Sequence, residues 1–141
     1  MRALIISVFL ILPLISFSQR QLYGSWQGKM STPSGNYVFN LDLRPSPDGT
    51  SSIRGTAIHN RNGEKQVIDL EGIIYGDQSI YLSDVADPLK KLSRGDTFSR
   101  LQFTYSYQSG ELVLSGHWQE YQDMSHYRRG RLVLFRKSTK A

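Results

Sequence analysis

Apolar and polar residues alternate along this chain in about eight separate segments, at roughly 22–30, 36–44, 53–59, 64–75, 79–85, 98–107, 111–121 and 131–137. A period of two sends successive side chains to opposite faces of a strand, so each segment reads as a half-buried β-strand. No window sustains the i, i+3, i+4 apolar pattern of an amphipathic helix, and helix is expected to be scarce. Turn chemistry falls where it should: Ser46-Pro47-Asp48-Gly49, Asn62-Gly63, Gly76-Asp77 and Ser109-Gly110 each separate two such segments, which makes most neighbours hairpins. Short, even spacing without a long crossover favours an all-β antiparallel up-and-down meander closed into a barrel over a sandwich.

The alternation assigns an inward face to every strand. It comprises Trp26 with the small Gly24 and Gly28; Tyr37, Phe39, Leu41 and Leu43; Ile53 and Ala57; Ile68, Leu70 and Ile74; Ile80 and Leu82; Leu101, Phe103, Tyr105 and Tyr107; Leu112, Leu114 and Trp118; and Leu132 and Leu134. The remaining positions are largely polar, as a wet outer face requires. This core must hold the domain unaided, because the chain has no cysteine and a disulfide framework is excluded.

Residues 1–18 carry a single charge, Arg2, then an apolar run from Ala3 to Phe17 and the small residues Ser16 and Ser18. The run is shorter than the roughly 20 residues of a spanning helix and is interrupted by Pro13. It is expected to be a signal peptide cleaved after Ser18, leaving 19–141 as one domain that is secreted or periplasmic, with no transmembrane segment. Without Arg2 the mature chain has 16 basic against 12 acidic residues, a net charge of +4. These charges are scattered rather than blocked, which argues against nucleic acid as a partner.

Chain direction sorts the loops. If strands run alternately up and down, the connections at 31–35, 60–63, 86–97 and 122–130 share one rim, and those at 45–52, 76–78 and 108–110 share the other. The two longest lie together, opposite Trp26, and long loops on a rigid scaffold are where binding usually resides. They carry Lys90, Lys91, Arg94, Arg128 and Arg129 against Asp87, Asp96 and Asp123, a mildly basic rim. Inward Tyr37, Phe39, Phe103, Tyr105 and Trp118 either line an apolar cup or fill it, since an eight-stranded barrel is only just wide enough for one small ligand. His59, Asp84 and Glu120 have inward parity at the long-loop end, where a histidine and two carboxylates are a possible metal or acid/base set. His117 and His126 read as surface residues. No nucleophile elbow, zinc-binding helix motif or glycine-rich phosphate loop is present, and the expectation is of no enzyme, no cofactor and no metal.

At the opposite end, closure of the barrel pairs the first strand with the last, bringing Trp26 to Arg136. A guanidinium over an indole face is worth roughly 0.5–2 kcal/mol and would plug that end. With Leu22-Tyr23-Gly24-Ser25-Trp26 at its head and Leu132-Val133-Leu134-Phe135-Arg136 at its close, the chain resembles the lipocalin-like branch of the calycin barrels, as a minimal bacterial-type relative. Gly24-Ser25-Trp26 is similar to the Gly-x-Trp signature of that group, and Arg136 to the basic residue its Trp stacks on. The long first loop and late helix of larger lipocalins have no counterpart here. Avidins share Gly-x-Trp, but Gln27-Gly28-Lys29 lacks the small polar biotin contacts that follow it there. Arg131-Leu132-Val133 departs from the Arg-x-Tyr carboxylate clamp of fatty-acid-binding barrels. The resemblance implies a small apolar or amphipathic ligand at the long-loop end, with Tyr37, Phe39, His59, Asp84, Tyr105, Trp118, Glu120, Arg128 and Arg129 as candidate contacts. The alternative is a secreted or envelope protein-interaction or inhibitor module built on a filled barrel, with a protein partner.

Overall fold

In the computed structural model, residues 19–32, 35–49, 51–61, 63–86, 90, 98–121 and 127–137 are described. The expected signal peptide, 1–18, and most of the two long loops, including Lys91, Arg94, Asp123 and His126, lie outside them. A short 3-10 helix, Gln19–Leu22, leads into eight strands: β1 (Gly24–Thr32), β2 (Gly35–Pro45), β3 (Ser52–Arg61), β4 (Glu64–Ile74), β5 (Ser79–Asp84), β6 (Phe98–Gln108), β7 (Glu111–Tyr121) and β8 (Tyr127–Arg136). Each pairs antiparallel with the next, and β1 pairs with β8, so the meander closes into a barrel. Closure removes both sheet edges, the chief liability of an all-β chain. Among the described residues no helix is long and apolar enough to cross a membrane.

Two strand starts differ from the alternation pattern by more than one residue. Leu22 leaves β1 for the 3-10 turn, where Tyr23 N–H donates to Arg20 O (3.2 Å), and the Leu22 side chain is fully buried. β8 begins at Tyr127 rather than 131, since Arg128, Arg129 and Gly130 carry no apolar alternation yet continue the ladder as far as Tyr121↔Tyr127.

Parity is otherwise obeyed: one continuous core runs from Trp26 through Phe39, Leu70, Phe103 and Leu114 to Leu134. Phe98 and Val113 have outward parity yet are buried, and Tyr107 is the reverse case. It has inward parity but sits beside the Ser109-Gly110 turn and is 55% exposed, its hydroxyl donating to the Gln21 side chain. Tyr37, near the start of β2, is only half-buried against the core. The outer face is less polar than expected, with Val38, Val67, Ile73, Val85 and Phe135 exposed. Branched and aromatic residues fit a pleated strand even on its wet side, which is reason enough for them there.

Several inward positions hold glycine, and three permit the curvature that closure demands. A Cβ on Gly28, Gly72 or Gly116 would lie 1.9, 1.7 or 1.8 Å from the carbonyl oxygen of Val133, Tyr81 or Gln102 on a neighbouring strand. Only a residue without a side chain lets the backbones approach so closely, and such glycine kinks are how a sheet turns the corners of a small barrel.

Candidate functional site

The Trp26 end is sealed. Trp26 is fully buried, its Nε1–H donates to Leu22 O (2.9 Å), and the Arg136 guanidinium carbon lies 4.3 Å from the indole centroid. Arg136 also donates to the carbonyls of Tyr23 and Gln21, so one side chain joins the last strand to the segment that precedes the first. Gly24 sits beneath it at φ +118°, where a Cβ would come within 2.8 Å of Arg136 Nη1. The backbone angle demands glycine, and a Cβ would also push Arg136 aside, which is a physical reason for a glycine two residues before this tryptophan.

Tyr105 belongs to this end as well. It follows the register toward the 109–110 turn, its N–H donates to Gln78 O (3.0 Å), and its side chain is buried. Burial, and secondarily the Asp77 carboxylate, raise its pKa above the usual 10.0. The structure therefore separates Tyr105 from the other candidate contacts.

The remaining inward candidates gather at the opposite end. His59, at the end of β3, stacks on its register partner Phe39 with centroids 5.8 Å apart and planes 14° apart. It also meets Trp118 edge-on at 6.0 Å and 75°. β3 and β7 are not neighbours in the sheet, so the His59–Trp118 contact spans the interior. Phe39, His59 and Trp118 form an aromatic floor beneath this rim, the geometry aromatic groups favour.

A polar row lies nearer the rim. Ser99 on β6 faces Glu120 on β7. Ser83 pairs with Arg100, so the next residue along each strand brings Asp84 beside Ser99. Asp84, Ser99, Glu120 and His59 are the buried polar side chains among the described residues. Asp84 Oδ1 accepts the Ala86 N–H (3.0 Å), which fixes the carboxyl at the strand end. Ser99 Oγ and Trp118 Nε1, by contrast, are buried with no hydrogen-bond partner. A buried donor left unsatisfied costs about 1–3 kcal/mol.

His59, Asp84 and Glu120 thus share one end, but among the described residues no three His, Asp or Glu side chains are placed to hold a metal ion. Arg128 faces Glu120 in register, yet it and Arg129 are exposed. His117 is on the surface, as expected, and Lys90 is exposed. Ser99 went unnoticed in the sequence because a serine among inward apolar residues reads as an interruption; its only signal was parity with Leu101 and Phe103. On the outer wall, a hollow of about 540 Å³ is bounded by Gln27, Gly28, Lys29, Val38, Val133 and Phe135.

The molecule is an all-β, eight-stranded, antiparallel up-and-down barrel with one end plugged by an Arg–Trp stack and the other floored by aromatic rings. No protein-family model matches the sequence, and no curated protein matches it. Among solved structures it is similar to a redesigned β-barrel, mFAP1, bound to DFHBI, with a TM-score of 0.58 over 84% of this chain and 98% of that one. Identity is 15%, so the likeness bears on the fold alone.

Proposed function

We propose that this is an exported, non-enzymatic, lipocalin-like binding protein that holds a small apolar or amphipathic molecule at the His59 end of the barrel. The observation that carries the reading is the aromatic floor of Phe39, His59 and Trp118 beneath a buried polar row. An apolar base with a few fixed polar groups is the usual composition of a small-molecule site. The floor makes that site a shallow cup rather than a deep calyx. The solved barrel it resembles holds a small molecule, which is consistent with the reading. Export is supported by the charge and apolar run of residues 1–18.

Tryptophan fluorescence tests the proposal. A ligand entering the cup is expected to change Trp118 emission in a saturable way and leave Trp26, buried at the far end, silent. Trp118→Phe then abolishes the signal. A panel of fatty acids, isoprenoids, tetrapyrroles and glycans that gives no saturable change would overturn it.

A second reading, a protein-interaction module on a filled barrel, is favoured by the same floor, because a ring contact across the interior closes off what lies below it. It becomes the better account if the panel is silent and a protein partner is captured reversibly by the intact barrel.

A further inference from the structure

Among the buried polar atoms at the His59 end that lack a hydrogen-bond partner are two that can donate. Trp118 Nε1–H is a donor only, and the Ser99 hydroxyl is a donor with acceptor capacity. Ser99 lies opposite Glu120 and Trp118 opposite Leu101 on the same pair of strands, which makes the two side chains diagonal neighbours on the inner wall. Side chains so related come within reach of one small group set between them. The pair therefore asks for an acceptor.

The surroundings restrict which acceptor. Asp84 and Glu120 flank Ser99 in the polar row, and His59 is the only buried residue there, among those described, able to carry a positive charge. An oxygen that accepts from Ser99 and Trp118 must enter beside two carboxyl groups. A carboxylate or phosphate oxygen meets like charge in that position, whereas an uncharged oxygen does not. The rings of Phe39, His59 and Trp118 offer a flat partner both face and edge contacts.

Resting on the reading of this end as the binding site, we infer that the preferred ligand is a flat apolar molecule bearing an uncharged carbonyl-type oxygen, as in a ketone, lactone or amide, that accepts from Trp118 Nε1 and Ser99 Oγ. Binding then satisfies two donors that folding leaves unpaired, so recognition is concentrated on one oxygen.

Three probes sharing a dimethylaminonaphthalene skeleton separate the possibilities: the parent arene, its propionyl ketone and its carboxylate. Each is titrated into the isotope-labelled full chain, and the indole N–H signals of the two tryptophans are followed. Trp26, already bonded to Leu22 O, serves as the internal reference. The ketone is expected to bind about tenfold tighter than either other probe, the equivalent of one good buried hydrogen bond. It should move the Trp118 N–H downfield and leave Trp26 in place. Ser99→Ala and Trp118→Phe should each compress the preference for ketone over arene toward unity. Equal affinity for ketone and arene, or tighter carboxylate, overturns the acceptor assignment while leaving the end a binding site. If no probe perturbs Trp118, both the assignment and the binding reading fail.

Discussion

Arg136 acts on several groups at once: an indole face, two backbone carbonyls and the space above Gly24. Trp26→Ala should cost roughly 3–5 kcal/mol, as loss of a buried tryptophan does, and melting within a degree or two of the parent would show the indole to be dispensable. Combined with Arg136→Gln in a double-mutant cycle, the coupling should exceed about 0.5 kcal/mol. The pairing of these two residues was legible in the sequence because barrel closure and parity fix it without reference to loops. The role of Ser99 was not. Tyr105 sits on the correct face, but parity alone, which gives no height along the strand, put it among the contacts; its closeness to the 108–110 connection carried the height that the register with Leu114 shows. That placement has a pH consequence. Unfolded Tyr105 ionises near 10.0 and the buried residue only above that, so the folded state keeps a proton the unfolded chain has released. Its contribution to stability is intact below pH 10 and declines as pH rises beyond it. Tyr105→Phe should therefore gain on the parent in melting temperature above pH 10; a difference that stays constant with pH would refute this.

At the scale of the element, the strands were the most legible part of the chain and their corners the least. Alternation locates β2 through β7 to within a few residues because one wet and one dry face leave a period-two record. Curvature leaves no such record. Gly72 and Gly116 interrupt the inward pattern and look like weak points of a strand, yet each is where two backbones come closest. The contrast with Gly76 makes this testable, since nothing lies within 4 Å of a Cβ built there. Gly116→Ala should destabilise the barrel by at least about 1–3 kcal/mol, the cost of overpacking, whereas Gly76→Ala should stay within about 0.5 kcal/mol of the parent. Comparable unfolding midpoints in a denaturant titration would remove the corner role. The early start of β8 escaped notice for a related reason: Arg128-Arg129-Gly130 contributes hydrogen bonds to the ladder but no apolar signal.

For the molecule as a whole, the two ends of the barrel have divided labour, with the plug at one and polar groups over an aromatic floor at the other. The sequence reached that division through chain direction alone, while the chemistry of the floor needed contacts between strands far apart in the chain, which no local pattern carries. The pairing of β1 with β8 has one more consequence. Trp26 lies against Arg136, and Lys137 N–H donates to Ser25 O at 2.9 Å, so the two extremities of the ladder are already in contact. A ring of strands has no intrinsic first member. Joining Lys137 to the segment before Gly24 by a short linker and reopening the chain at the Ser109-Gly110 turn preserves every rung, and folded domains tolerate such circular permutation where the severed turn is exposed. The permuted barrel should melt within a few degrees of the parent and keep its His59 end unaltered. In that sense the order in which these strands are written is a property of the gene, and their cyclic order is the property of the fold.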